Sequence, residues 1–257
     1  MKKVYRSQRT SKWIISIIIF FIAVGISNDI YINQVEFISF YELVLLQLNS
    51  DFSLLFALSF LLIFFSASNE EEIAQLPSNA ALVFLKRAVF SAIDFVAVIL
   101  SANIVYCFVS RGFQGFVNNW SYNNSFSAIG FNPIACVVIS VILFSLRCVF
   151  LFYLIDLINM LTRKPYWGFW SVLFVCFVDY SFYDHTHIPY PFNILPVEHT
   201  RILYTRAFNN PMESATRGSY LISILYWMIL VLIIYEIMKF LVKERGERYE
   251  VGLHTRN

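Results

Sequence analysis

The sequence predicts an all-α, polytopic membrane protein with six transmembrane helices and both termini in the cytoplasm. Apolar runs of 17 to 28 residues recur along the chain with few or no charges, and such runs can cross a hydrocarbon core of about 30 Å. Of the 257 residues, 58% are hydrophobic and 14% charged, against roughly 45–50% and 25% in soluble domains. Outside the runs, Lys and Arg alternate between rich and poor segments. A soluble enzyme, a disordered tail and a secreted disulfide scaffold are thereby excluded.

The spans are about 13–32, 52–68, 88–109, 134–161, 166–183 and 219–241. The first follows a basic stub and ends Val24-Gly25-Ile26-Ser27-Asn28. That ending matches a signal-peptidase site poorly, so the span is expected to be retained. The second lies between Asp51 and Asn69, and the third begins after Lys86 and Arg87. The fourth, the longest, carries Arg147 and Asp156, and the turn 162–165 separates it from the fifth. The sixth ends where the charged C-terminal tail begins. Cys107, Cys136, Cys148 and Cys176 all fall inside these runs without the spacing of a zinc or redox motif, and read as small buried hydrophobes. With no repeat and no soluble domain, residues 1–257 form a single transmembrane domain.

Orientation follows from the basic residues. Lys2, Lys3, Arg6, Arg9 and Lys12 precede the first span; Lys86 and Arg87, then Arg163 and Lys164, occupy two inner connections. The C-terminal tail adds Lys239, Lys243, Arg245, Arg248 and Arg256. The alternate loops hold only Arg111, Arg201, Arg206 and Arg217, so 14 basic residues face 4. The basic side is the cytoplasm. Net charge is only +2, which offers no basic stripe for nucleic acid.

Between the first two spans, Glu36, Ser39 and Glu42 recur every three residues among Phe37, Phe40, Tyr41, Leu45 and Leu46. This pattern predicts a helix with a narrow polar face, lying along the outer interface. The inner loop 69–87 reads Asn69, then Glu70, Glu71 and Glu72, then Gln75-Leu76-Pro77-Ser78-Asn79 before Lys86. Asn69 can cap a short helix, three glutamates suit the positive end of its dipole, and Pro77 redirects the chain.

With six spans, internal termini and a basic stub, the chain resembles the six-helix permease subunits of type-2 ABC exporters. In that family the second inner loop forms a coupling helix, with an acidic residue, a Leu-x-x-Pro-Ser-Arg-like stretch and a later Lys. Glu70 to Glu72, Leu76-Pro77-Ser78-Asn79 and Lys86 look like that pattern. Phe40-Tyr41-Glu42-Leu43 and Asn49-Ser50-Asp51 look like the outer segment of small peptide- or bacteriocin-related permeases. The family's glycine after the acidic residue is missing, and Asn79 stands in place of its Arg. The resemblance implies that Glu70, Glu71, Glu72, Gln75, Leu76 and Pro77 contact a cytoplasmic ABC ATPase subunit. It also implies a second permease subunit, identical or related, in a bacterial cytoplasmic membrane among its lipids.

No Gly-x-x-x-x-Gly-Lys phosphate loop occurs, since Arg111-Gly112-Phe113-Gln114-Gly115 lacks the lysine. The chain is therefore expected not to be an enzyme and to bind no cofactor, with ATP and Mg held by the partner. Its cargo is expected to be amphipathic: a peptide, lipid or drug. In the outer loop 184–218, His185, His187 and His199, with Asp184 or Glu198, have the chemistry of zinc ligands. Polar residues at a wet interface explain them more simply. A metalloenzyme joining these histidines to Glu70–Glu72 is blocked by about 30 Å of hydrocarbon.

Asp94 in the third span and Arg147 and Asp156 in the fourth are ionisable residues set within spans, whereas Asp179 and Glu236 lie near span ends and can snorkel. The span limits place Asp94 and Asp156 roughly 8–9 Å above the inner end. Arg147 stands about 13 Å from Asp156, so its partner is expected from another helix, from carbonyls or from a second subunit. Such residues glue helices or line a polar path, and a proton relay through Asp94 and Asp156 is conceivable. The alternative functions are an ATP-independent secondary carrier and a bacteriocin-immunity membrane protein.

Overall fold

The computed structural model describes residues 18, 39–49, 80–120, 131–162, 164, 167–183, 199–200 and 218–254. Among them every regular element is helical, and no strand occurs. The helices are α1 (Phe40–Asn49), α2 (Ala80–Arg111), α3 (Pro133–Thr162), α4 (Trp167–Tyr183) and α5 (Gly218–His254). A 3-10 turn, Gly112–Phe116, follows α2. Three segments are long and apolar enough to cross a membrane: Ala80–Phe116, Pro133–Thr162 and Tyr220–Glu244. The shorter apolar stretch Trp167–Val178 lies within α4. The expected first and second spans lie outside the described residues, Ile18 excepted.

Each boundary has a local cause. Gly112 adopts φ 58°, a left-handed turn open to glycine, directly after the last residue of α2. Asn132 caps α3, its Oδ1 accepting the Ala135 N–H at 2.8 Å, and Pro133 occupies the first helical position. At α1, Ser39 and Glu42 form a reciprocal capping box: the Ser39 N–H donates to Glu42 Oε2 at 2.8 Å, and the Glu42 N–H to Ser39 Oγ at 3.3 Å.

One expectation changes here. Ser39 and Glu42 are each 1% exposed, and Leu43, Val44, Leu45 and Leu48 are buried too. Helix α1 packs on α2 and α3 instead of turning its polar residues to water. The capping box engages those polar groups within the helix end; Glu36 lies outside the described residues. The helices run beyond the expected spans. Ala80 to Leu85 is apolar and helix-forming, so α2 passes unbroken through Lys86 and Arg87, and α5 continues beyond 241 to His254.

Helix α3 is the hub: it packs against α1, α2, α4 and α5. Two contacts fix it antiparallel to α2. The Tyr153 hydroxyl donates to the Ala81 carbonyl at 3.0 Å, and the Phe95 ring stacks on Phe144 at 5.8 Å. All four cysteines are buried and free, as their positions predict.

Helices α3 and α4 meet through a tight turn. The Gly168 N–H, unsatisfied at a helix start, donates to Asn159 Oδ1 at 2.8 Å. A Cβ at Gly168 would strike the Ile155 carbonyl and lie 2.6 Å from that same Asn159 oxygen. Phe169, Val172 and Cys176 continue this buried face, whereas Trp170, Phe174 and Phe177 point outward. Gly168→Ala is therefore expected to cost about 1–3 kcal/mol by overpacking, read as a lower melting temperature in detergent. An unchanged melting temperature would mean that the two helices are not held this closely.

Candidate functional site

The proposed ATPase-contact residues Glu70, Glu71, Glu72, Gln75, Leu76 and Pro77 lie outside the described residues, as do His185 and His187. Asp94, Arg147, Asp156 and His199 are described, and they occupy two separate polar clusters and one other level on the bundle.

The first cluster surrounds Arg147, which is 6% exposed. It sits fourteen residues from Pro133 on α3, about 21 Å along the helix at 1.5 Å per residue. Its guanidinium Nη1 donates to Thr200 Oγ1 at 3.2 Å. One partner thus comes from a turn between α4 and α5. Next to it, His199 Nδ1 lies 3.0 Å from Ser223 Oγ, and the His199 ring stacks on Tyr226 at 4.0 Å. The Trp227 indole N–H donates to the His199 carbonyl at 3.0 Å, while its ring packs against Phe150. His199, Thr200 and Ser223 are each 2% exposed and Trp227 0%. A two-residue turn is therefore sunk between the middle of α3 and the early turns of α5. Buried polar groups need such partners, because an unsatisfied one costs about 1–3 kcal/mol.

The surroundings of His199 are protein groups on three sides. Its Nδ1 faces a hydroxyl, its ring face is covered by a tyrosine, and its carbonyl is engaged. Among the described residues no group of three His, Cys, Asp or Glu is placed to hold a metal ion.

The second cluster lies toward the other end of α3. Asp156 is 6% exposed, and among the described residues its Oδ2 meets no hydrogen-bond partner. The Arg87 guanidinium of α2 exerts a favourable charge on it without an ion-pair contact, and Tyr153 stands one turn away on α3.

Asp94 lies at a different level from Asp156. It stands fourteen residues beyond Ala80 on α2. Its neighbour Phe95 stacks on Phe144, which places Asp94 level with that part of α3. Phe144 and Asp156 are twelve residues apart, about 18 Å along α3. The two aspartates are therefore not at equal height on the bundle.

Sequence reasoning missed Thr200, Ser223, Trp227, Asn159 and Gly168. Ser223 and Trp227, four residues apart on one helix face, were the only available signal. Family models, curated proteins and solved structures offer no match to this chain.

Proposed function

We propose that this chain is the transmembrane permease subunit of an ATP-driven ABC exporter that moves an amphipathic peptide, lipid or drug across a bacterial cytoplasmic membrane. The reading comprises six spans with both termini inside and a second permease subunit, identical or related. A separate cytoplasmic ABC subunit docks on Glu70, Glu71, Glu72, Gln75, Leu76 and Pro77, and holds ATP and Mg. The observation that carries it is the placement of that acidic stretch. It ends in Leu76-Pro77-Ser78-Asn79, and an unbroken helix of spanning length starts at Ala80. A push on the stretch from below would be delivered directly to α2. Through the α2–α3 contacts at Ala81–Tyr153 and Phe95–Phe144 it would reach the hub of the bundle. Rigid helices transmit such displacements, which is how closure of an ATPase would switch the access of the spans.

A second reading draws on the buried Arg147 and Asp156. Intramembrane charges mark ion and substrate paths in carriers that use no ATPase. One preparation separates the two. Gentle purification of the tagged protein from its host is expected to bring a stoichiometric soluble ATPase with it. Glu71→Lys with Glu72→Lys is expected to abolish that association and transport while the protein still inserts. An ATPase-free homo-oligomer, or a double variant that docks and transports normally, would overturn the permease reading and favour the carrier or an immunity role.

A further inference from the structure

In the sequence the four cysteines read alike, each a small residue inside an apolar run, but the fold sets two of them face to face. Helices α3 and α4 lie antiparallel after their tight turn, in a register set where the Gly168 N–H donates to Asn159 Oδ1 and Gly168 lies close against the Ile155 carbonyl. Cys176 stands eight residues beyond Gly168, about 12 Å along α4. Eight residues back along α3 from Ile155 and Asn159 lie positions 147 and 151, and Cys148 falls between them. Phe169, Val172 and Cys176 form the buried side of α4, whose main neighbour among the described helices is α3. Cys148 and Cys176 are 4% and 3% exposed and belong to one core cluster. The Cys176 thiol is near enough to act electrostatically on that of Cys148, and so is the Arg147 guanidinium. No disulfide joins the pair.

Two thiols facing each other across a helix seam are a ligand pair. Thiolate sulfur is soft and selects soft cations, Cu(I) and zinc among them. Zinc takes four ligands in a tetrahedron, whereas among the described residues no third His, Cys, Asp or Glu joins the pair. Two sulfurs alone suit a monovalent ion for which linear two-coordination is ordinary. Two thiolates around one such ion carry a single negative charge, and Arg147 stands beside Cys148 to balance it. We propose that Cys148 and Cys176 form a two-sulfur site for a thiophilic monovalent cation of the Cu(I) kind, bridging α3 to α4. Both sulfurs bind as thiolates, so two protons pass to water for each ion taken up. The site does not depend on the source of energy for transport, and goes beyond the proposed function in naming a ligand of the bundle itself.

The test uses the full-length protein, purified in detergent under anaerobic, reducing conditions, with Cu(I) as the probe and a bicinchoninate chelator as competitor. The parent is expected to retain one Cu(I) per chain against the chelator, with two sulfurs and no nitrogen in the X-ray absorption shell of the ion. Cys148→Ala and Cys176→Ala are each expected to lose that ion, whereas Cys107→Ala together with Cys136→Ala keeps it. The ion is also expected to raise the melting temperature of the parent by about 5 °C or more at a free concentration one hundred times its dissociation constant. Neither single variant should respond. A parent that retains no ion, or a shell containing nitrogen, would overturn the proposal. So would retention in either single variant, or loss in the Cys107 and Cys136 double variant alone. The absorption shell of the parent is read without any substitution, so a variant that fails to fold does not shield the proposal from refutation.

Discussion

A polar group inside hydrocarbon has no water to fall back on, so every such group must find its partner within the protein. Helix α3 concentrates that constraint. Arg147, Tyr153 and Asn159 all project from it into buried surroundings, and each meets a different piece of chain. Arg147 takes Thr200, Tyr153 takes the Ala81 carbonyl, and Asn159 takes the Gly168 N–H. Apolar packing alone would let helices slide, since lipid is as apolar as leucine. Three polar contacts at three heights on one helix fix the register of the bundle.

That arrangement also explains which parts of the fold were legible in the sequence. Apolar length announced α3, α4 and the membrane part of α5, and Pro133 and the turn 162–165 marked ends the structure keeps. The helix of α2 reaches back to Ala80, past Lys86 and Arg87, because the stretch Ala80 to Leu85 is itself apolar and helix-forming. The burial of α1 was misjudged from its polar residues. Ser39 and Glu42 read as a wet face, yet they engage each other at the buried helix end.

Candidate-site residues divide along the same line. Arg147 and Asp156 stand out in any hydropathy trace, and the need for a partner outside their own helix follows from spacing alone. Who answers is invisible locally, because Thr200 and Ser223 are common residues whose meaning comes only from being buried. His199 shows the converse. Beside two other histidines it suggests a metal ligand, and only the fold shows that Ser223, Tyr226 and Trp227 surround it.

The most direct measurement of the central claim is a double-mutant cycle on Arg147→Met and Thr200→Val, by reversible thermal or denaturant unfolding in one detergent. If buried polar contacts on α3 fix the bundle, the two effects are expected to be non-additive, with a coupling of about 1–2 kcal/mol. Additivity within about 0.5 kcal/mol would contradict the claim and leave α3 as an apolar post around which the other helices pack without fixed register.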